Sequence, residues 1–202
     1  MSTSKEKSRR RVVRLQTALA ASCPSCNAHL TEHPAWCAQC RFTGGDTMQM
    51  FAGPPPPLPP ILDAAGLWNE RQLKAIASSR RKIEKRFPQF HWKICTVRLA
   101  PADNLNLFSF WMLNASPLAS GESEQDRCRT ILHLIDEATG NATITPGYLA
   151  EVWLSEEEWK TALASMQAHW SRGKTTHALA EFFTTSRDLL LKAWRRNRFR
   201  HA

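Results

Sequence analysis

Long apolar runs and glycine-rich loops are both missing from this sequence. Charged residues or prolines interrupt every apolar stretch well before the roughly 18 residues that a membrane-spanning helix needs. The chain also lacks a Gly-x-Ser-x-Gly elbow and a phosphate-cradling glycine loop. These absences exclude a membrane-spanning protein and give no support to Ser-His-Asp catalysis. His133, inside an apolar run, is predicted to be a core histidine with its hydrogen bonds satisfied.

The residues that are present have the composition of a globular protein. The 202 residues are 43% hydrophobic and 22% charged, which is near the average for soluble domains and excludes collagen, coiled coil and full disorder. This length allows one medium domain plus an appendage.

Acidic residues are outnumbered, 18 against 27 Lys and Arg, which gives a net charge of +9. The cations cluster in residues 1–14, 80–86 and 195–202, and such clustering is typical of nucleic-acid-binding proteins. Basic tails bind any polyanion weakly and with strong salt dependence. Nucleic acid is therefore one alternative partner, and we expect its binding to be nonspecific.

The N-terminal basic stretch is also similar to the start of a targeting segment. Arg14 and Gln16 interrupt the apolar part that follows, and Leu19 lies one position too early for a lipoprotein cleavage site at residues 20–23. We therefore expect no secretory signal, a flexible basic arm over residues 1–21 and a cytoplasmic protein.

Four of the six cysteines fall close together as two C-x-x-C pairs, Cys23 with Cys26 and Cys37 with Cys40. Each pair makes a tight knuckle, and two knuckles on a short hairpin complete a tetrahedral site of four thiolates with no open position for catalysis. The spacing predicts structural Zn²⁺ in a zinc ribbon over residues 22–42. The metal must supply the folding energy, because about 20 residues cannot bury enough surface alone.

Other interpretations of these residues stay open. Two disulfides would suit an oxidising compartment, which a basic chain without a secretory signal does not favour. His29 or His33 could replace one cysteine as a ligand. Cys95 and Cys128 stand alone and are predicted to be buried core thiols.

A Gly/Pro-rich linker is predicted over residues 43–60. Four consecutive prolines, Pro54 to Pro57, favour extended polyproline II and make a semi-rigid spacer. The same prolines could dock an SH3-like or WW-like partner.

Periodicity predicts a helix-and-strand domain over residues 61–194 and a basic tail over residues 195–202. Helices are expected at 69–87 with Asn69 as N-cap, at 155–170 with a Ser155–Glu158 capping box, and at 175–195 with Trp194 facing inward. The first of these helices is expected to carry its basic residues, Arg80 included, on its outer face. Strands are expected at 92–99, half-buried, and at 131–135 and 142–145 as a hairpin. Residues 105–113 are compatible with a helix or a strand, and residues 116–129 with a loop.

Asp63-Ala64-Ala65-Gly66-Leu67-Trp68, followed by a long helix and by Trp92 to Val97, forms the first of two stretches with a recognisable pattern. It resembles the opening of the TPM domain family, the thylakoid lumen phosphatase-like and photosystem II repair factor type of domain. Residues 131–136 and 142–155 are similar to its apolar strand, acidic turn, return strand, Gly-Tyr-Gly-Leu-Glu box and helix start. The resemblance covers about residues 60–194.

The resemblance implies an α/β/α sandwich with a small mixed β-sheet of about four strands, in which residues 105–113 are the crossover helix. Family members are described as acid-phosphatase-like or as binding divalent cations through acids at strand ends. Carried over to this chain, Asp63, Asp136 and Glu151 become a second cation site for Ca²⁺ or Mg²⁺. The chain lacks the family's Trp-Gly-x-Gly motif and the second glycine of its box, and this loss argues against catalysis.

Each of these acids also has a simpler role. Asp63 would cap a turn, Asp136 would serve the hairpin turn, and Glu151 would be solvated. The sequence therefore favours a non-catalytic binding or accessory module with a protein partner. The alternatives are a divalent-metal-dependent, acid-phosphatase-like hydrolase and a nucleic-acid-binding protein.

Overall fold

A computed structural model describes residues 15–17, 23–26, 28, 30, 36–51, 53–100 and 103–198. Its centre is a mixed five-stranded sheet with the spatial order β1-β5-β4-β3-β2. The strands are β1 (Leu15–Thr17), β2 (Ile61–Asp63), β3 (His91–Val97), β4 (Thr130–Asp136) and β5 (Ala142–Pro146). The helices are α1 (Asp46–Met50), α2 (Glu70–Arg86), α3 (Leu105–Ala115), α4 (Glu124–Cys128), α5 (Tyr148–Glu151), α6 (Glu156–Trp170) and α7 (Thr175–Arg198).

Both parallel and antiparallel pairs build the sheet. Strands β2, β3 and β4 are parallel, β4 and β5 form an antiparallel hairpin, and β1 lies parallel to β5 at the edge. The parallel pair β3 and β4 needs a crossover, and α3 lies within it. The predicted class, a small mixed sheet covered by helices, is confirmed. The sheet has β1 in addition to the four strands expected.

Helix boundaries follow the capping residues in the sequence. The Asn69 side chain accepts a hydrogen bond from the Gln72 backbone N–H, and the Gln72 side chain accepts one from the Asn69 backbone N–H. Helix α2 ends before Pro88. Ser155 and Glu158 form the same reciprocal box at the start of α6. Residues 105–115 are helical, which settles the ambiguous segment, and the Asn104 side chain caps them.

Each face of the sheet has its own hydrophobic core. Helices α2, α6 and α7 cover one face, where Trp92 packs edge-on against Trp159, Phe182 and Phe183. Helix α3 covers the other face over Cys95, Leu132 and Leu134. The layers are therefore helix, sheet and helix, and helices bury both faces of the central strands.

The structure corrects four details of the sequence prediction. Strand β3 is buried on both faces beyond His91, so its predicted half-burial is wrong. Trp194 is 43% exposed and does not face inward. Arg80 is absent from the outer face of α2, because its side chain is only 15% exposed and pairs with Glu84. Helix α4 also replaces part of the loop expected at residues 116–129.

Segments outside the predicted main domain contribute to its structure. Strand β1 lies in the segment assigned to the flexible arm, and α1 lies in the assigned linker. Leu58, after the prolines, is buried, and the Pro60 carbonyl accepts from the Ile94 N–H. Helix α7 continues to Arg198 through part of the predicted basic tail. Residues 1–14 and 199–202 lie outside the described residues. Within the described residues, no helix is long and apolar enough to cross a bilayer.

Candidate metal centre

The two C-x-x-C pairs fold into matching turns. The Cys23 N–H donates to the Ala28 carbonyl at 2.8 Å, and the Cys37 N–H donates to the Phe42 carbonyl at 2.9 Å, so each turn closes over the same five-residue step. Arg41 completes the second turn with a φ of 62°, a left-handed conformation that is uncommon for a residue with a Cβ. Its N–H donates to the Cys37 carbonyl. Two equivalent turns thus present their sulfur atoms in the same way.

The four sulfur atoms converge at tetrahedral spacing. Cys23 Sγ lies 3.6 Å from Cys40 Sγ, Cys26 Sγ lies 3.8 Å from Cys37 Sγ, and all four lie within 4.8 Å of one another. A zinc ion with Zn–S bonds of about 2.3 Å places tetrahedral sulfurs about 3.8 Å apart. A disulfide needs a separation of about 2.05 Å, and all four thiols are free. The arrangement therefore fits a metal ion and does not fit two disulfides.

Backbone N–H groups and burial set the acidity of the sulfurs in opposite directions. The Phe42 N–H bonds to Cys40 and lowers its thiol pKa to about 7. Burial raises the pKa of Cys23 to about 12. A bound cation would stabilise the thiolate of each ligand, since metals bind the deprotonated form. The site can thus hold a cation with four sulfur ligands and leaves no coordination position for a substrate.

The turns pack directly on helix α3. Cys23, Cys37 and Phe42 are buried in one cluster with Leu107 of α3. The Phe42 ring meets the Phe110 ring edge-on, with centroids 6.1 Å apart. This cluster, here called the knuckle–α3 contact, attaches the cysteine turns to the sheet domain.

Other predicted ligand candidates fall elsewhere. His29 and His33 lie outside the described residues. Cys95 is fully buried in the core, as predicted, and burial raises its pKa to about 12. Cys128 is only half-buried, so the structure does not place it as a core thiol.

Asp63, the first acid of the predicted second cation site, holds the turn before α2. Its carboxylate accepts from the N–H groups of Leu67 and Trp68 at 3.0 and 2.9 Å, and from the Thr96 hydroxyl. The side chain therefore acts as a turn cap.

Asp136, the second acid, holds the hairpin loop. It accepts from the backbone of Leu99 and Ala138 and, at 2.6 Å, from the Thr139 hydroxyl. Both carboxylates satisfy neighbouring donors in the way that turn residues do.

The structure does not bring the three acids together. Asp63 and Asp136 are the last residues of the parallel strands β2 and β4, so both lie at the carboxyl ends of these strands, with β3 between them. Strand β5 runs the opposite way, so Glu151, in the helix after it, lies near the start of β4. The seven residues of β4 span about 20 Å at about 3.3 Å per residue. In the described ranges, the four cysteines are the only group of three or more metal-ligating residues.

Comparison with known proteins adds little to this picture. No family model matches the chain, and no curated protein matches its sequence. Among solved structures, the chain is similar to the N-terminal domain of a protein from P. gingivalis, determined by solution NMR. The TM-score is 0.48 and the identity is 16%, over 74% of this chain and 91% of that one. Membership of the TPM family stays a prediction from the sequence.

Proposed function

We propose that this chain is a non-catalytic binding or accessory module of the cytoplasm, in which a TPM-like domain carries a structural zinc site. One observation carries the proposal: four sulfur atoms lie at the spacing of a closed tetrahedral zinc site. A site closed by four protein ligands stabilises a fold and presents a surface. It has no vacant position at which to activate water.

The acids at the strand ends support a non-catalytic role. The carboxylate oxygens of Asp63 and Asp136 accept hydrogen bonds from backbone N–H and hydroxyl groups of their own turns. A phosphatase that uses divalent ions needs several carboxylates around one ion. Glu151 lies at the opposite end of the strands from Asp63 and Asp136, so it cannot join them around one ion. The glycines that would let a loop approach a phosphate are also missing from the corresponding motifs.

Exposed apolar side chains beside the cysteine turns support a protein partner. Trp36 precedes the second knuckle and is 53% exposed, while Met48 and Met50 follow it on α1 and are 58% and 53% exposed. Tryptophan and methionine are enriched at protein interfaces. A surface held in place by a metal ion and the knuckle–α3 contact would give such a partner a preformed site.

The direct test is the metal content of the purified chain. One equivalent of zinc per chain is expected, and Cys37→Ser should lose it. Cys128→Ser is the matched control, because this cysteine is not a ligand, and it should keep the full equivalent. Metal-free protein in which these four thiols do not react with an alkylating reagent would indicate two disulfides and reject the zinc site.

Hydrolysis of a generic phosphate ester separates the module from the enzyme. We expect no turnover with Mg²⁺, Ca²⁺ or Mn²⁺ above the rate of the buffer. Reproducible ion-dependent turnover that disappears in folded Asp136→Asn would establish the hydrolase in place of the accessory module.

A further inference from the structure

We propose that the C-terminal ends of α2 and α7 form a binding surface for single-stranded nucleic acid. Its residues, here called the basic end, are Arg81, Lys82, Lys85 and Arg86 of α2 and Lys192, Trp194 and Arg195 of α7. The surface is separate from the cysteine turns, so this inference does not depend on the zinc site.

The basic residues of α2 occupy one outward stripe. Ile76 and Ile83 are buried and mark the face of α2 that meets the sheet. At 100° per residue, Lys82 and Lys85 point away from that face, and both are exposed. Arg81 and Arg86 flank them and are exposed as well. The stripe therefore projects its positive charge into solvent.

No acid on α2 neutralises these cations. Glu84 bonds to Arg80 at 2.5 Å and also accepts from the Trp92 N–H, while Glu70 pairs with Lys74 at the other end of the helix. Within the described part of the chain, the four cations of the stripe make no ion pair. Favourable interaction with the helix dipole accounts for Lys85 and Arg86, which lie in the last turn, but falls off before Arg81.

Helix α7 brings further cations to the same end of the molecule. Trp68, just before α2, donates to Thr175 at the start of α7, so the two helices begin together. Arg196, near the end of α7, pairs with Glu158 at the start of α6. The end of α2 contacts Trp92 at the start of β3, and Trp92 in turn packs on Trp159 near the start of α6. Lys192 and Arg195, both exposed, therefore lie at the end of the fold that carries the α2 stripe.

An exposed aromatic ring favours single-stranded nucleic acid as the occupant. Trp194 lies between Lys192 and Arg195 and is 43% exposed. Unpaired bases stack on such rings while nearby cations follow the phosphates, whereas the bases of a duplex are already stacked. A membrane-binding helix needs a continuous apolar face, and Trp194 is the only exposed large apolar side chain on the described parts of α2 and α7.

Fluorescence anisotropy with a labelled 15-nucleotide oligo(dT) and the full chain tests the surface. Arg81→Glu/Lys82→Glu should weaken binding at 50 mM salt about tenfold or more and reduce its salt dependence. Arg172→Glu/Lys174→Glu makes the same change of charge on exposed residues of the distant α6–α7 turn and should weaken binding far less. Trp194→Ala should weaken binding about fivefold or more with the salt dependence unchanged.

Three results would overturn the proposal. Equal loss in the two double variants would show that net charge alone attracts the oligonucleotide. Unchanged affinity in Trp194→Ala, with a duplex bound as tightly as the single strand, would remove the stacking site. Failure to bind oligo(dT), together with binding to phosphatidylserine-containing vesicles that Arg81→Glu/Lys82→Glu abolishes, would make the surface a membrane contact.

Discussion

His133 lies at the centre of the sheet with both ring nitrogens buried, and neither nitrogen has a hydrogen-bond partner in the described structure. Its ring packs against Phe182 of α7, with ring centroids 4.4 Å apart. Burial lowers the pKa of His133 to about 3, so the folded protein keeps this ring neutral. The sequence correctly indicated a core histidine, but its hydrogen bonds are not satisfied as expected.

We predict that His133 makes the protein sensitive to mild acid. Below pH 6.5 the unfolded chain binds a proton at this site and the folded chain does not. The free energy of unfolding therefore decreases as the pH falls from 6.5 towards 3, and this site no longer affects it at higher pH. The loss at pH 4.5 should be about 2–3 kcal/mol. Urea unfolding of His133→Leu should show a weaker dependence of stability on pH between 4.5 and 7.

The control for this experiment is His177→Leu, which removes an exposed histidine. It should keep the pH dependence of the natural protein. If His133→Leu and His177→Leu gave the same profile as the natural protein, the buried ring would not be the source of acid sensitivity.

Among the elements, α3 lies between the sheet and the cysteine turns, and it also contacts α1. Leu107 and Phe110 of this helix meet the turns, whereas Phe108 packs on Phe51 and Trp111. Helix α3 therefore links the four-cysteine cluster to the sheet.

We predict that Phe110→Ala loosens the metal centre without unfolding the sheet domain. Loss of the ring contact with Phe42, at about 0.5–1.5 kcal/mol for an aromatic pair, should speed zinc transfer to a chromogenic chelator about two- to tenfold. Phe108→Ala, on the same helix but away from Phe42, should change this rate much less. Equal rates in the two variants would show that the turns hold the metal independently of the knuckle–α3 contact.

Local signals made part of the fold predictable. The Asn69 cap of α2, the capping box of α6 and the β4–β5 turn each depend on residues within a few positions of one another, and the sequence located all three. Burial of β3 on both faces depends on distant segments. The alternation of residues 92–99 suggested an exposed face, yet the ammonium of Lys93 bonds to the Leu58 carbonyl and the Glu122 carboxylate, both far away in sequence.

The candidate sites also differ in how far the sequence predicts them, because some depend on nearby residues and others on distant segments. The four cysteines are paired by short spacing, so their convergence could be predicted. A prediction that Asp63, Asp136 and Glu151 lie together depends on knowing the direction of each strand. Because β5 runs antiparallel to β4, Glu151 lies at the opposite end of the strands from the other two acids. The basic end was only partly visible, because Arg80 and Lys82 are indistinguishable until their burial is known.

At the scale of the whole molecule, β1 closes an edge of the sheet. Its three residues pair with Ala142, Thr143 and Ile144 of β5, whose outer edge would otherwise be unpaired. Exposed strand edges promote association between molecules.

We predict that truncation through Ala18 lowers the stability by about 1–3 kcal/mol, because a few backbone hydrogen bonds at about 1 kcal/mol each are lost. Truncation through Val13 leaves β1 intact and should leave the melting temperature nearly unchanged. Thermal unfolding and light scattering of the two truncated chains would measure both stability and association. Identical melting curves for the two would show that β1 contributes nothing to the edge.

The position of β1 also has a consequence for folding during synthesis. This strand leaves the ribosome roughly 130 residues before the β5 segment that it pairs with, so it waits unpaired while most of the chain is made. The cysteine turns come next in the chain and would need a metal ion to fold before α3, which they contact, has been made. A nascent chain that takes up its ion early would complete this part first, and closing the sheet edge would be among the last events of folding.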